Sequence, residues 1–428
     1  MIKYEKLENH VFVTKLAGFE HSKYIQYNET EGKVRDDDIP LVQGQNIRNG
    51  NFVEKYNYYI SKEISDNLSR SKLDKICILI PYVGSNLGEV GIFYHPYDCH
   101  MASNIAKIEL IDDYFDIEYL KYYLQSPVGQ GYLFIEKQGS AQPNITMQSI
   151  RNTLVLDKSK SEQIKIAKIL KEIDDKININ YQINNTLEEM MKTLYQRWFL
   201  EFEFPNEEGK PYKSSGGEMV WNEELKQEIP EDWKNCKIKD LCDVISGYPF
   251  SKELYDSEGK YKLITIKNVQ DEGINLNTDN NIKNIPEKMP NYCLLKPLNI
   301  LMSLTGNVGR AGIMFSQNCL LNQRVAILKE KNEKYIPFIY SLFKNDYIRK
   351  KLENMSTGTS QLNLSPIETE KLNVPYNEIA IDNYSKITYP YILKIEKLLE
   401  ENQRLTELRD YLLPMLMNGQ INVDDVQV

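Results

Sequence analysis

Between residues 162 and 199 the chain carries a stripe at Ile166, Leu170, Ile173, Ile177, Asn180, Asn184, Leu187, Met191, Leu194 and Trp198. The steps alternate four and three, the rhythm of a heptad seam on one long helix. Ser159 followed by Glu162 makes a capping box at its start, and Pro205 lies beyond its far end. At 1.5 Å per residue, roughly 40 residues form a rod of about 60 Å. An ordinary globular helix runs to about 11 residues. Such a seam has to lie against a partner.

A matching seam occurs in the second half of the same chain. Tyr384, Thr388, Tyr391, Ile395, Leu398, Asn402, Leu405, Arg409, Leu412 and Leu416 repeat the four-three rhythm. Asn184 and Asn402 occupy equivalent places, and a buried Asn fixes register because a misaligned amide goes unpaired. The alternative is that each seam packs on its own half with the Asn side chains solvated. Either way, two such helices are spacers or scaffolds. Pro390 removes a backbone donor and is expected to kink the second rod or mark the start of its coiled coil.

The 428 residues suffice for two or three domains. No apolar run reaches about 20 residues, which excludes a membrane span, and the opening MIKYEKLENH lacks the apolar core of a signal peptide. Six Cys at unrelated spacings, without a CxxC pair, predict reduced thiols in a cytoplasmic protein. The formal net charge of −9 argues against indiscriminate nucleic-acid binding. The acid is uneven, however: residues 234–378 are mildly basic and residues 1–155 mildly acidic.

The two halves echo one another. The run 76–83 (ICILIPYV) reads as a strand followed by Gly84, Gly88 and Gly91, and 299–315 (NILMSLTGNVGRAGIMF) repeats it with Gly306, Gly309 and Gly312. The amphipathic stretch 114–124 (YFDIEYLKYYL) is echoed by 335–343 (YIPFIYSLF), and the polar loop 139–145 by 358–364. Strand, glycine turn, helix, polar loop and rod recur in order, as expected of a tandem duplication of one αβ domain plus one long helix. Residues 201–233, rich in Glu, Gly, Pro, Ser and Lys without periodicity, are expected to form a surface linker.

No catalytic constellation accompanies this architecture. Walker A, HExxH and GxSxG patterns are absent. The glycine triplets read G-x3-G-x2-G and G-x2-G-x2-G, which suits tight turns with positive φ, or else close approach to a phosphate. Asn373-Val-Pro-Tyr376 resembles the N-P-P-Y motif of amino-methyltransferases, but Val374 breaks it and no glycine-rich cofactor loop precedes it. His95, Asp98, Cys99 and His100 could ligate a metal, though the second half has no counterpart and a solvated loop explains them as well.

What remains is recognition chemistry. Gln and Asn suit adenine edges, Arg and Lys guanine, and Ser and Thr either. The first half offers Gln43, Asn46 and Arg48, then Ser85 and Asn86, then Ser140, Gln142 and Asn144. The second offers Lys267 and Asn268, then Thr305, Asn307 and Arg310, then Gln323 and Arg324, then Thr359, Ser360, Gln361 and Asn363. Any one of these could be an ordinary surface residue; the recurrence of polar loops at equivalent places in both halves is the stronger signal.

Over nearly its whole length the chain resembles the specificity (S) subunit of type I restriction-modification systems. The residues that carry the likeness are 163–170 (QIKIAKIL) with Ile173-Asp174, 194–199 (LYQRWF), 202–217 (FEFPNEEGKPYKSSGG), 229–233 (IPEDW) and 412–421 (LLPMLMNGQI). It departs at 381–387 (IDNYSKI), where an Ala-rich opening is usual.

The resemblance implies an α+β fold: two tandem target recognition domains separated by two long antiparallel coiled-coil helices, with a pseudo-two-fold internal repeat. The expected layout is residues 1–158 for the first recognition domain, 159–200 for the first long helix and 201–233 for the linker. The second recognition domain follows at 234–376, the second long helix at 377–419 and a tail at 420–428. The likeness implies a non-catalytic chain reading a bipartite double-stranded DNA site. Two methyltransferase (M) subunits would dock on it, with translocating restriction (R) subunits for cleavage. S-adenosylmethionine would be held by the partner and no cofactor by this chain. The competing readings are a self-sufficient adenine methyltransferase using 373–376 and a structural coiled-coil adaptor.

Overall fold

The computed structural model describes residues 3–135, 144–278, 280–358 and 361–423. The chain divides into two compact units, one of Met1–Lys176 with Leu405–Val428 and one of Ile177–Arg404.

In the first unit an antiparallel sheet runs in the order Gly91–Phe93, Cys77–Pro81, Ile105–Leu110, Val11–Lys15. The central strand Cys77–Pro81 is buried along its whole length, which is why its sequence is continuously apolar rather than alternating. A second sheet contains a parallel pair, Leu41 and Val42 against His100 and Met101. A two-stranded ribbon, Tyr4–Lys6 with Leu154–Leu156, ties the start of the domain to its end. Helix Ile117–Gln125 buries Tyr119, Leu120, Tyr122, Tyr123 and Leu124, worth about 2 kcal/mol per large side chain removed from water.

The second unit repeats this topology. Its sheet runs Ala311–Ile313, Ile300–Ser303, Val325–Glu330, Cys242–Ser246. Its parallel pair is Leu263 and Ile264 with Leu320 and Leu321, and its closing ribbon is Lys234–Lys237 with Asn373–Tyr376. Helix Ile336–Lys344 takes the place of Ile117–Gln125. The duplicated fold read from the sequence is therefore present in the four-stranded sheet, the parallel pair and the closing ribbon, while the sheet holding the parallel pair has five strands in the first unit and four in the second.

The long helices are Lys160–Tyr195 and Glu378–Met417. The capping box forms as expected: Glu162 Oε2 accepts from Ser159 N at 3.1 Å and from its hydroxyl at 2.7 Å. Within the second unit the seams meet antiparallel. Asn180 Nδ2 donates to Asn402 Oδ1 at 2.9 Å, while farther along the first helix the Tyr384 hydroxyl donates to the Met191 carbonyl at 3.1 Å. Asn402 Nδ2 donates to the Ile177 carbonyl at 3.2 Å. The residue opposite Asn402 is thus Asn180, one turn before Asn184. The Asn184 amide is buried with neither polar atom hydrogen-bonded. In the first unit Asp174 accepts from Arg409 Nη1 at 3.0 Å and from the Tyr122 hydroxyl at 2.7 Å, placing the end of the second helix against the start of the first. Pro390 does not break the second helix, which continues unbroken past it. The ring lies on an exposed face, where the missing backbone donor is least costly.

Residues 201–233 fold more tightly than a polar linker would. Met219–Asn222 pairs with Gln227–Pro230 in a hairpin. Phe204 stacks on Tyr212 at 4.7 Å and lies 5.1 Å from Trp233, which also touches Phe199 at 5.6 Å. A Cβ on Gly217 would fall 2.4 Å from the Tyr212 ring. Five aromatic residues spaced irregularly among polar ones in this segment, Phe202, Phe204, Tyr212, Trp221 and Trp233, give no periodic signal, so the packing could not be read from the pattern.

Candidate nucleic-acid interface

In each head, loops distant in sequence gather at one end of the antiparallel sheet. In the first, the Tyr82 amide donates to the Asn104 carbonyl at 3.1 Å and the Tyr82 carbonyl accepts from Ile145 N at 3.0 Å. In the second, the Leu304 amide donates to the Arg324 carbonyl at 3.0 Å and the Leu304 carbonyl accepts from Leu364 N at 2.8 Å. The same two bonds thus bring the glycine loop, the loop after the parallel strand and the polar loop before the long helix together twice.

The glycines serve two purposes. Gly84, Gly88, Gly306 and Gly309 have φ of +98°, +85°, +76° and +77°, so they are the turn residues that an L side chain would strain. Gly91 and Gly312 have ordinary φ but admit a neighbour. Their added Cβ atoms would fall 3.2 Å from the Asn51 backbone and 2.8 Å from Ile274.

Those neighbours belong to a short hairpin present in both heads. In the first, Ile47–Arg48 pairs with Asn51–Phe52 across an Asn49–Gly50 turn. In the second, Val269–Gln270 pairs with Gly273–Ile274 across Asp271–Glu272. Its root is held by an Asn whose amide is fully committed. Asn46 Oδ1 accepts from Gln43 N at 2.8 Å, and its Nδ2 donates to the carbonyls of Val53 at 2.9 Å and Lys55 at 2.7 Å. Asn268 Oδ1 accepts from Thr265 N at 3.0 Å, and its Nδ2 donates to the carbonyls of Asn275 at 2.9 Å and Asn277 at 3.0 Å. The sequence suggested both residues as base readers. Both are buried, and both instead clamp backbone.

The other expected contacts divide by availability. Arg48, Asn144, Lys267, Asn307, Gln323, Arg324, Gln361 and Asn363 are exposed. Ser85 is exposed too, with its hydroxyl donating to Asn86 Oδ1 at 3.1 Å. Asn86 Nδ2 is directed inward, to the carbonyls of Gly44 at 3.2 Å and Ile47 at 2.9 Å. Gln43 is half-buried, and its side-chain oxygen accepts from Gln45 at 2.9 Å. Thr305 is buried, pairing in a bridge with Asn363. Arg310 is engaged by a carboxylate: its Nε and Nη2 reach Asp271 at 3.1 and 2.7 Å. Ser140, Gln142, Thr359 and Ser360 lie outside the described residues.

Two further stretches singled out in the sequence can be placed, and Cys99 and His100 prove to lie in a buried strand rather than the solvated loop expected of them. Asn373–Tyr376 is a β-strand paired with Lys234–Lys237. Asn373 Nδ2 donates to Glu224 at 3.1 Å and the Tyr376 hydroxyl lies 3.2 Å from that of Tyr335, so the tetrad is a structural strand and not a pocket for a target amine. Cys99 and His100 alternate across a buried strand. The thiol reaches the Tyr56 hydroxyl and burial pushes its pKa up to about 12. His100 Nδ1 lies 3.0 Å from Ser65 Oγ, and burial lowers its pKa to about 4. Among the described residues no group of three or more His, Cys, Asp or Glu is placed to hold a metal ion, and no helix is long and apolar enough to cross a membrane.

Reasoning from sequence missed Glu89, Asp271 and Gln125, which act on the hairpins. The Asn49-Gly50 dipeptide between apolar residues was the readable signal for the first hairpin.

Two like heads, each with polar loops collected around one end of a sheet and each leading into a long helix, define a duplicated recognition protein. The chain belongs to the family described as the type I restriction modification DNA specificity domain, whose model matches residues 28–189 and again 230–405. It is 27% identical over 316 residues to the type I restriction enzyme MjaIX specificity subunit of Methanocaldococcus jannaschii, covering 72% of this chain and 70% of that one. The MjaVIII specificity subunit of the same organism is 26% identical over 402 residues, covering 87% and 88%. The HindI specificity subunit of Haemophilus influenzae is 24% identical over 348 residues, covering 68% and 73%. In fold, the chain is similar to the S subunit of a type I restriction-modification system from M. genitalium, with a TM-score of 0.56 at 17% identity, covering 97% and 96%.

Proposed function

We propose that this chain is the non-catalytic DNA-specificity subunit of a type I restriction-modification complex. Each head reads one half of a bipartite duplex site through its gathered loops. The observation that carries the reading is the duplication itself: the same loop-gathering bonds and the same clamped hairpin occur in both heads, while the exposed side chains on them differ. Equivalent frames with different polar letters suit two half-sites of different sequence.

The long helices are the scaffold on which two methyltransferase subunits dock, joined by restriction subunits for cleavage. Adenine methylation is performed by the partner with its own S-adenosylmethionine. Phosphate contact from those partners compensates for the acidic first head, since neutralising phosphates is mainly a matter of summed positive charge around the duplex.

The test is to map N6-methyladenine in cells carrying the chain with its methyltransferase partner, then to exchange residues 1–158 for those of a homologue. One half-site changes and the other persists. If both halves changed, or if methylation needed no specificity chain, the reading would fail. A coiled-coil adaptor without DNA contact predicts that Arg48→Ala and Arg324→Ala leave the methylated sequence untouched.

A further inference from the structure

The two short hairpins are held at their tips as well as their roots, by the same elements but with different chemistry. In the first head, Glu89 Oε2 accepts from the turn amide of Gly50 at 2.9 Å, and Gln125 Nε2 donates to the Gly50 carbonyl at 3.2 Å. In the second, Arg310 comes from the equivalent place in the glycine loop, next to Ala311 and Gly312 as Glu89 is next to Val90 and Gly91. It grips the turn residue Asp271. Lys344, the last residue of the helix equivalent to the one ending in Gln125, donates to the Asp271 carbonyl at 3.0 Å. Arg349 adds a third cation, 2.6 Å from Asp271 Oδ1. Burial works to raise the Asp271 pKa, but Arg349 and then Arg310 hold it below the usual carboxylate range.

A two-by-two-residue hairpin that buries only one apolar pair has little stability of its own. Here it is fixed at root, back and tip: by Asn46 or Asn268, by Gly91 or Gly312, and by the loop and helix residues just named. The strand pairing is the same in both heads, but the turns differ: Asn49 and Gly50 have φ of +53° and +74°, whereas in the second hairpin only Gly273 has a positive φ, +127°. The tip sequences differ too, Arg48-Asn49-Gly50-Asn51 against Gln270-Asp271-Glu272-Gly273, with Arg48, Asn49, Asp271 and Glu272 exposed. A two-stranded ribbon fits the major groove of duplex DNA, which is about 12 Å wide. Side chains held rigidly in place discriminate bases better than mobile ones.

We infer that the hairpins 47–52 and 269–274 are the base-probing fingers of the two heads, and that Glu89 and the Arg310–Asp271 pair are positioning residues that set them. Arg310 is then a brace rather than a reader. Arg48, exposed with no carboxylate partner among the described residues, is the guanine-seeking group of the first finger. Glu272, equally exposed, is suited to the amino group of cytosine in the second. The inference rests on the reading of the chain as a DNA-specificity subunit.

The experiment expresses the full chain with its methyltransferase partner and sequences methylated adenines in the genomic DNA of the host. Glu89→Ala raises methylation of sites mismatched at one base of the first half-site about tenfold, leaving the second half-site as stringent as before. Asp271→Asn does the converse, and Asp271→Glu, which keeps the carboxylate, stays close to wild type. Arg48→Ala, on an exposed tip where folding is not at issue, abolishes the preference for a guanine in the first half-site. Unchanged base preference in the Arg48 and Asp271 variants overturns the inference, as does a uniform fall in methylation at every site, the mark of a merely structural contact. A wild-type complex that methylates without any sequence preference would remove the underlying reading instead, and this one with it.

Discussion

Replacing Asn184 by Leu is expected to stabilise the helix pair of the second unit. Asn180 Nδ2 donates to Asn402 Oδ1 and to Glu401, and Asn402 Nδ2 donates to the Ile177 carbonyl, leaving only the Asn180 Oδ1 of that pair without a partner. The antiparallel register set by that pair places Asn184, one turn on, opposite Leu398, one turn back. Both are buried, at 5% and 3% exposure, and the Asn184 amide has no partner on either polar atom. A buried amide without hydrogen bonds costs about 1–3 kcal/mol, and a Leu there adds roughly 1–2 kcal/mol of apolar burial. Asn184→Leu should therefore stabilise by about 2–5 kcal/mol. Unfolding of a chain with two units is not two-state, so the right assay is native-state hydrogen exchange of the amides from Ile177 to Tyr195. Protection there should rise at least about tenfold, since 1.4 kcal/mol corresponds to a factor of ten. Protection unchanged or reduced would show that Asn184 is satisfied, by water or otherwise, and would refute the register argument. Leu398→Asn makes the complementary case: it should be far less damaging in the wild type than in the Asn184→Leu background, because it hands Asn184 a partner.

Other outcomes follow from the same geometry. Asn46→Ala or Asn268→Ala removes at least three hydrogen bonds to backbone and should cost about 2–4 kcal/mol, read as lost native-state hydrogen-exchange protection in the affected head, with loss of base preference in that head only. His100 should make the first unit acid-sensitive. Its folded pKa of about 4 lies below the ordinary value of 6.5, so the unfolded chain takes up the proton first as pH falls. The stabilisation is complete above about pH 6.5 and declines toward pH 4 by about 3 kcal/mol, and His100→Gln should flatten that slope in unfolding measured between pH 7 and 4.5. Arg324→Ala should weaken DNA binding by about 1–3 kcal/mol, with the change read as altered base preference if it contacts a base and as a smaller salt slope if it contacts phosphate.

The strongest periodicities were the most legible. The seams, the capping box at Ser159 and Glu162, the apolar strands and the turns at the first two glycines of each triplet appear where their patterns placed them, because a heptad or a positive-φ turn is a local constraint; Gly91 and Gly312 lie in strands instead. The candidate interface was legible as a set of loops but not as individual residues. Asn46 and Asn268 look like readers because Asn suits adenine, yet the same donor and acceptor pair suits a backbone clamp, and only burial decides. Arg310 was misleading for a similar reason: its partner Asp271 lies 39 residues away in sequence, and no spacing rule connects them. Asn184 and Asn402 fall at matching heptad positions, but which amides meet depends on the relative shift of two helices, a quantity that neither seam contains by itself.

The root clamp has a consequence for how such a protein changes over time. Asn46 and Asn268 bond chiefly to main-chain amides and carbonyls, groups that every residue carries. Substitutions at Arg48, Asn51, Gln270 or Glu272 therefore leave the clamp's partners in place. New target sequences become accessible by single replacements on a stationary frame, and a lineage can alter what it reads without first having to survive a less stable intermediate.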